Sequence, residues 1–190
     1  MNRVVKLFSG EYVDPFDPDI DKVHIADIAH SLALQCRFNG HCDVFYSVAQ
    51  HSMLVSDAVR HYGPMMAMYG LLHDASEMLL GDIVSPVKQA IPQLAEIENK
   101  VSARIFQRFS LPGTALPESV KAADRDVLAR EASALLNCDD DELLTRFGLF
   151  PPAPGTPFPR PLSPADAFGE FLRTFDELAA EMRRTYHASV

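Results

Sequence analysis

The chain has no excess of positive charge. Its 17 lysines and arginines are outnumbered by 26 aspartates and glutamates, giving a formal net charge of −9 and a pI near 5.1. A groove that tracks DNA or RNA phosphates needs a basic face, so a nucleic-acid polymer is not the expected partner. A small anionic ligand remains compatible, because one metal ion and a few basic side chains reverse the local potential inside an acidic protein. Cysteine is scarce. Cys36, Cys42 and Cys138 leave one thiol unpaired under any bridging scheme, and a chain of 190 residues needs no covalent staples, so a reducing cytoplasm is expected. No stretch approaches eighteen apolar residues, and the segment Met1 to Phe8 lacks the apolar core of a signal peptide. Neither membrane insertion nor export is signalled. Internal repeats and the signature of a parallel sheet are also missing. What is present, 47% hydrophobic and 23% charged residues, is ordinary globular composition for one domain spanning 1–190.

Residues 1–20 read as a short extended arm, ending in the turn-rich run Asp14-Pro15-Phe16-Asp17-Pro18-Asp19. Helical periodicity then takes over across a core of 24–136. Ile25, Ile28, Ala29, Leu32 and Cys36 recur at steps of three and four and predict a first helix ending near Asn39-Gly40. A second helix is predicted from Ser47 to His61 and a third from Pro64 to about Leu80. Leu94, Ile97, Val101, Ile105 and Phe109 mark a fourth. A fifth runs from Pro117 to Leu136, with Val120, Ala123, Asp124, Val127, Leu128, Glu131 and Leu135 on its inner face. Asp139-Asp140-Asp141 opens a short helix to Phe147, and the prolines of 151–161 make a stiff extended connection. A last helix over 163–186 carries the stripe Phe168, Phe171, Leu172, Phe175, Leu178 and Met182. The expected class is all-α with an extended N-terminal arm.

The chemistry concentrates at His73-Asp74, which closes the apolar run Met65 to Leu72. An ionisable pair in apolar surroundings costs several kcal/mol unless it is paired or bound to a cation. An imidazole nitrogen beside a carboxylate oxygen suits a divalent ion such as Mn, Co, Zn, Fe or Mg. Further ligands are sought on apolar faces, where His51 lies between Val48 and Val55 and Asp124 between Val120 and Val127. A lone histidine on such a face is usually a hydrogen-bonded core residue. The combination on three inward faces carries the metal reading. Glu77, four residues after His73, shares its face if the helix continues, and is placed to orient or deprotonate a metal-bound water. Cys36, His41 and Cys42 lack the spacing of a structural zinc site. Asp27 and His30, three residues apart, read as a local surface pair.

Arg37-Phe38, Gln50-His51-Ser52, His73-Asp74-Ala75-Ser76-Glu77, Gly81-Asp82, Pro86-Val87-Lys88 and Lys121-Ala122-Ala123-Asp124 together resemble the HD-domain metal-dependent phosphohydrolases. Within them they resemble the small 5'-deoxynucleotidases and the phage-type dATP triphosphohydrolases. The resemblance covers roughly residues 24–135 and implies four metal ligands at His51, His73, Asp74 and Asp124. It implies a phosphate contact at Arg37 and an acidic residue at Asp82 that holds a water or protonates the leaving oxygen. Lys88 and Phe38 are candidate substrate contacts, the second by stacking on a base or sugar, and His41 is expected to approach from the Arg37 side.

The resemblance implies a hydrolase of deoxynucleotides, with a deoxyadenosine nucleotide favoured and deoxynucleoside monophosphates as the alternative. A guanosine tetraphosphate hydrolase ranks lower, since Ser76-Glu77 stands where that class has Glu-Asp. A non-catalytic sensor would keep the metal ligands but not need Glu77. The resembling enzymes are commonly oligomers, and the arm and last helix are candidate contacts in a homo-oligomer.

Overall fold

In the computed structural model, which describes residues 3–187, the N-terminal arm folds back on itself as a two-stranded antiparallel ribbon. Strands β1 (Val5–Lys6) and β2 (Tyr12–Val13) pair with Val5 opposite Val13 and Lys6 opposite Tyr12. The ribbon is tied down rather than loose. Leu7 and Val13 are buried, and the Ser9 amide donates to Asp27 Oδ1 at 2.7 Å. Asp27 also accepts from the His24 amide at 2.9 Å, which closes the N-terminus of helix α1 (Ile25–Leu34). The local pair read between Asp27 and His30 is therefore replaced. His30 stacks on Phe8, ring centroids 4.0 Å apart, and meets the edge of Phe168.

Helix α1 ends at Leu34, earlier than its periodicity implies. Gln35 and Cys36 turn extended, Cys36 bridges to Ser47, and Arg37 N donates to Tyr46 O at 2.9 Å. Phe38 and Asn39 then adopt left-handed φ of 55° and 51° in a tight turn over Arg37–Gly40. These long-range bonds outcompete the local helical pattern, which ran only as far as Cys36.

Helix α2 (Val48–Val59) starts in a capping box. Gln50 N donates to Ser47 Oγ, and Ser47 N to Gln50 Oε1. Helix α3 (Pro64–Leu72) begins at a proline behind Gly63, whose φ is 103°. It crosses α2 where Gly70 meets Ser56, so closely that a Cβ on Gly70 would lie 2.8 Å from Ser56 Cα. The continuous helix expected to Leu80 is broken. Residues 73–76 form tight turns, with Ala75 N donating to Leu72 O and Glu77 N to Asp74 O, before α4 (Glu77–Leu80). Gly81, at φ 82°, ends α4.

After α5 (Ser85–Ala90) come the long helices α6 (Pro92–Arg108) and α7 (Glu118–Leu135). The short α8 (Asp140–Glu142), capped by Asp139, continues into a widened π turn over Leu143–Phe147. An extended, proline-rich stretch leads to α9 (Pro164–His187), capped by Ser163. Ile28 of α1, Val55 of α2, Leu71 of α3, Ile105 of α6, Val127 of α7 and Phe171 of α9 belong to one core. The architecture is all-α. The aromatic stripe of α9 completes this core against α1, α2 and α3, so Phe171 and Leu178 are fully buried. Among the described residues, no helix is long and apolar enough to cross a membrane.

Candidate metal centre

Three stretches meet at one point: the first turn of α2, the break after α3, and the first half of α7. His51 Nε2 lies 3.2 Å from His73 Nε2 and 3.0 Å from Asp124 Oδ1. Asp74 Oδ2 stands 3.2 Å from His73 Nε2 and 3.7 Å from His51 Nε2. The four side chains expected as metal ligands thus converge, although 73 residues separate the first from the last.

The far sides of the imidazoles define their chemistry. His73 Nδ1 lies 2.7 Å from the Gly70 carbonyl, which only accepts, so that nitrogen carries the proton. His51 Nδ1 lies 2.9 Å from Glu131 Oε1, a carboxylate acceptor. A neutral imidazole so held turns an Nε2 lone pair toward the opposite nitrogen and two carboxylates. Four electron-rich atoms at such distances need a cation among them. Either the imidazoles protonate or a divalent ion binds. Burial opposes a charge on His73, but Asp74 and Asp124 outweigh it and raise its pKa well above 6.5. Burial and Arg37 oppose the charge on His51, and Glu131 and Asp124 raise it. Asp74 and Asp124 are lowered by the two imidazoles against the effect of burial. Two imidazole nitrogens, two carboxylates and a carboxylate–histidine support at Glu131 fit a divalent metal.

Glu131 lies on the inner face of α7, as its spacing predicts. It is fully buried. Its Oε1 orients His51, and its Oε2 lies 3.0 Å from Arg37 Nε. Burial opposes its ionisation, yet Arg37 and His51 hold its pKa below the usual range. Arg37 Nη1 reaches to 3.8 Å from Asp74 Oδ2, so the guanidinium stands beside the ligands. A buried glutamate on the stripe that carries Asp124 was the available signal, but only the folded chain shows that it serves His51.

Glu77 survives the break in the helix. The tight turns after Leu72 carry it to the start of α4, where it is 3% exposed. Its Oε1 is 3.4 Å from Lys88 Nζ, while its Oε2 is buried with no hydrogen-bond partner. Burial, then the charges of Asp74 and Asp82, raise its pKa well above 4.5. Asp82 is also raised, chiefly by burial. Gln35, whose place in the sequence carries no functional signal, holds both neighbours in place. Its Nε2 donates to Glu77 O at 3.1 Å, and its Oε1 accepts from Asp82 N at 2.9 Å.

A cavity of about 490 Å³ opens beside the ligands. Arg37, Phe38, Asp74, Glu77, Asp82, Lys88 and Asp124 line it, as do Arg146 and Phe147 from the turn after α8. Lys88 is tied to Glu98 at 2.7 Å as well as to Glu77. His41 is not brought to this cavity. It is exposed at the end of the Arg37–Gly40 turn, because the left-handed residues Phe38 and Asn39 redirect the chain before it. Arg146 and Phe147 carry no signal of a site in the sequence, since they sit on an irregular turn with no periodic face.

A helical chain that gathers two histidines and two aspartates around one point, with a His-Asp dipeptide at a helix break, has the site of an HD domain. The HD-domain family model matches residues 39–132, which contain all four of these side chains. The chain belongs to that family, whose domains bind divalent metals, and the HD domain marks it as a metal-dependent hydrolase of the phosphohydrolase type. It is 36% identical over 185 residues to the protein YfdR of Escherichia coli (strain K12), covering 95% of this chain and 97% of that one. It is 35% identical over 153 residues to an uncharacterized protein of Rhodobacter capsulatus, covering 75% of this chain and 78% of the relative.

Proposed function

We propose that the chain hydrolyses phosphate from free deoxynucleotides, with a deoxyadenosine nucleotide as the favoured substrate. The observation that carries this reading is a buried Glu77 oxygen without a partner, in a cavity lined also by Asp74, Asp124, Arg37 and Lys88. His51, His73, Asp74 and Asp124 would hold the ion. When bound there, a divalent ion polarises a phosphoryl oxygen and lowers the pKa of water.

The protein's own groups supply the rest. Arg37, kept charged by Glu131 and Asp74 against the effect of burial, offers Nη donors to phosphate oxygens beside Asp74. Glu77, whose affinity for a proton is raised by burial, takes the proton from the attacking water through its free Oε2. Lys88 holds Glu77 from the other side. Asp82, also raised, returns a proton to the leaving oxygen. Phe38 offers an apolar face to the base or sugar. A formal charge of −9 suits a free nucleotide better than a polymer, and the three free thiols suit the cytoplasm.

The test is to incubate the protein with manganese, cobalt or magnesium and each deoxynucleoside mono- and triphosphate, then measure phosphate, polyphosphate and nucleoside. Release of nucleoside is expected, with Glu77→Gln losing about 100-fold or more in turnover while retaining the metal. Nucleotide binding with no turnover across the panel would replace the hydrolase with a sensor.

A further inference from the structure

The cavity beside the ligands has three basic side chains in its lining, and two of them are already engaged. Arg37 faces Glu131 and Asp74, and Lys88 bridges Glu77 and Glu98. Arg146 has no hydrogen bond or ion pair with any described residue. Its five donors are therefore open to a ligand.

Its position is built rather than incidental. Leu143 is fully buried and Leu149 is 8% exposed, and both pack with Ala129 and Ala132 of α7, the helix that carries Asp124. The intervening chain widens into a π turn, and Gly148, at φ 66°, reverses it, so that the Gly148 and Leu149 amides both donate to the Leu143 carbonyl. Two anchors on the ligand-bearing helix thus hold Arg146 and Phe147 at the cavity. A widened turn of this kind is frequent at functional sites.

Arg37 stands 3.8 Å from Asp74 and Lys88 is 3.4 Å from Glu77, so both cations sit at the end of the cavity that holds the ligands and Glu77. The lining otherwise holds Asp74, Glu77, Asp82 and Asp124, and among its three basic side chains Arg146 is the one with no acidic partner among the described residues. We propose that Arg146 is a specificity-determining residue that binds the distal phosphates of a nucleoside triphosphate, so that this site selects triphosphates over monophosphates. This rests on the deoxynucleotidase reading above and extends it to the length of the phosphate chain. The planar guanidinium can engage two phosphate oxygens at once.

The experiment compares the parent protein with Arg146→Ala and Arg146→Lys. Binding of dATP and dAMP is measured by calorimetry in a Glu77→Gln background, with manganese in excess over nucleotide. The kcat/KM values for both nucleotides are measured with Glu77 intact. Tighter binding of dATP than of dAMP is expected, and Arg146→Ala should shrink that ratio by about 10- to 100-fold, the range for a lost charged hydrogen bond. Arg146→Lys, which keeps the charge, should retain part of the preference. A dATP/dAMP ratio that is the same in Arg146→Ala as in the parent overturns the proposal, as does an equal loss for both nucleotides. If the protein with Glu77 intact turns over no deoxynucleotide, the hydrolase reading fails, and Arg146 is still judged by the binding ratio.

Discussion

His73 donates its Nδ1 proton to the Gly70 carbonyl and His51 leans on Glu131, so a protonation equilibrium sits at the centre of the site. Without metal, both imidazoles have pKa values raised above 6.5 by the aspartates and Glu131, against the effect of burial. A raised histidine contributes stability that is fully present below its unfolded value and is lost as pH climbs through the folded one. Asp74 and Asp124, with lowered values, contribute above their unfolded value of 3.8 and lose that contribution as pH falls through the folded one. The metal-free cluster is thus most stabilising between roughly pH 4 and 6.5. A divalent ion needs both Nε2 lone pairs and must displace these protons. Manganese affinity should therefore rise between pH 6 and 8, with protons released. Calorimetry in buffers of different ionisation enthalpy measures both, and an affinity that is flat over that window would contradict the assignment of His51 and His73 as ligands.

At the scale of elements, the crossing of α2 and α3 is the joint that sets the site. Gly70 lets the two backbones approach, Ser56 Oγ donates to Ala67 O at 2.8 Å, and the Gly70 carbonyl orients His73 one turn later. Intrinsic propensity alone makes alanine better than glycine in a helix by about 1 kcal/mol. Packing reverses that sign, because the new Cβ would sit 2.8 Å from Ser56 Cα, a backbone atom with nowhere to yield. Gly70→Ala should cost about 1–3 kcal/mol in urea unfolding and weaken metal binding as His73 shifts. Equal or greater stability would show that the two backbones have room for a methyl group at the crossing. The break after α3 belongs to the same scale. Periodicity carried a helix through His73 to Leu80, since apolar residues recur there at helical spacing. The chain instead forms tight turns at 73–76, and just beyond them Gln35 reaches across from the end of α1 to Glu77 O and Asp82 N. Sequence spacing placed Glu77 on the correct side for a reason that the structure replaces with a different one.

For the whole molecule, the four candidate ligands come from α2, the turn behind α3, and α7, and the core beneath them extends to α9. An ion held by all three stretches binds the folded chain and not the unfolded one, so its affinity adds to stability. Manganese at about 100 times its Kd should add about 2.7 kcal/mol and raise Tm by roughly 5–10 °C for a chain of this size. Asp124→Ala should abolish most of that shift, and thermal unfolding with and without metal provides the measurement. A full shift in the variant would remove Asp124 from the ligand set.

The amino-acid order by itself determined the all-α class, the inward stripes of α2 and α7, and the four ionisable residues that the fold brings together. Each of those follows from local periodicity, or from ionisable groups set among apolar ones. The tertiary structure alone decided where α1 stops and where the third helix breaks. It also joined Glu131 to His51, turned His41 away from the cavity and brought Arg146 to its wall. The physical reason is the same in each case. These outcomes depend on hydrogen bonds, ion pairs and packing between residues distant along the chain, and no periodicity within one segment encodes a partner in another.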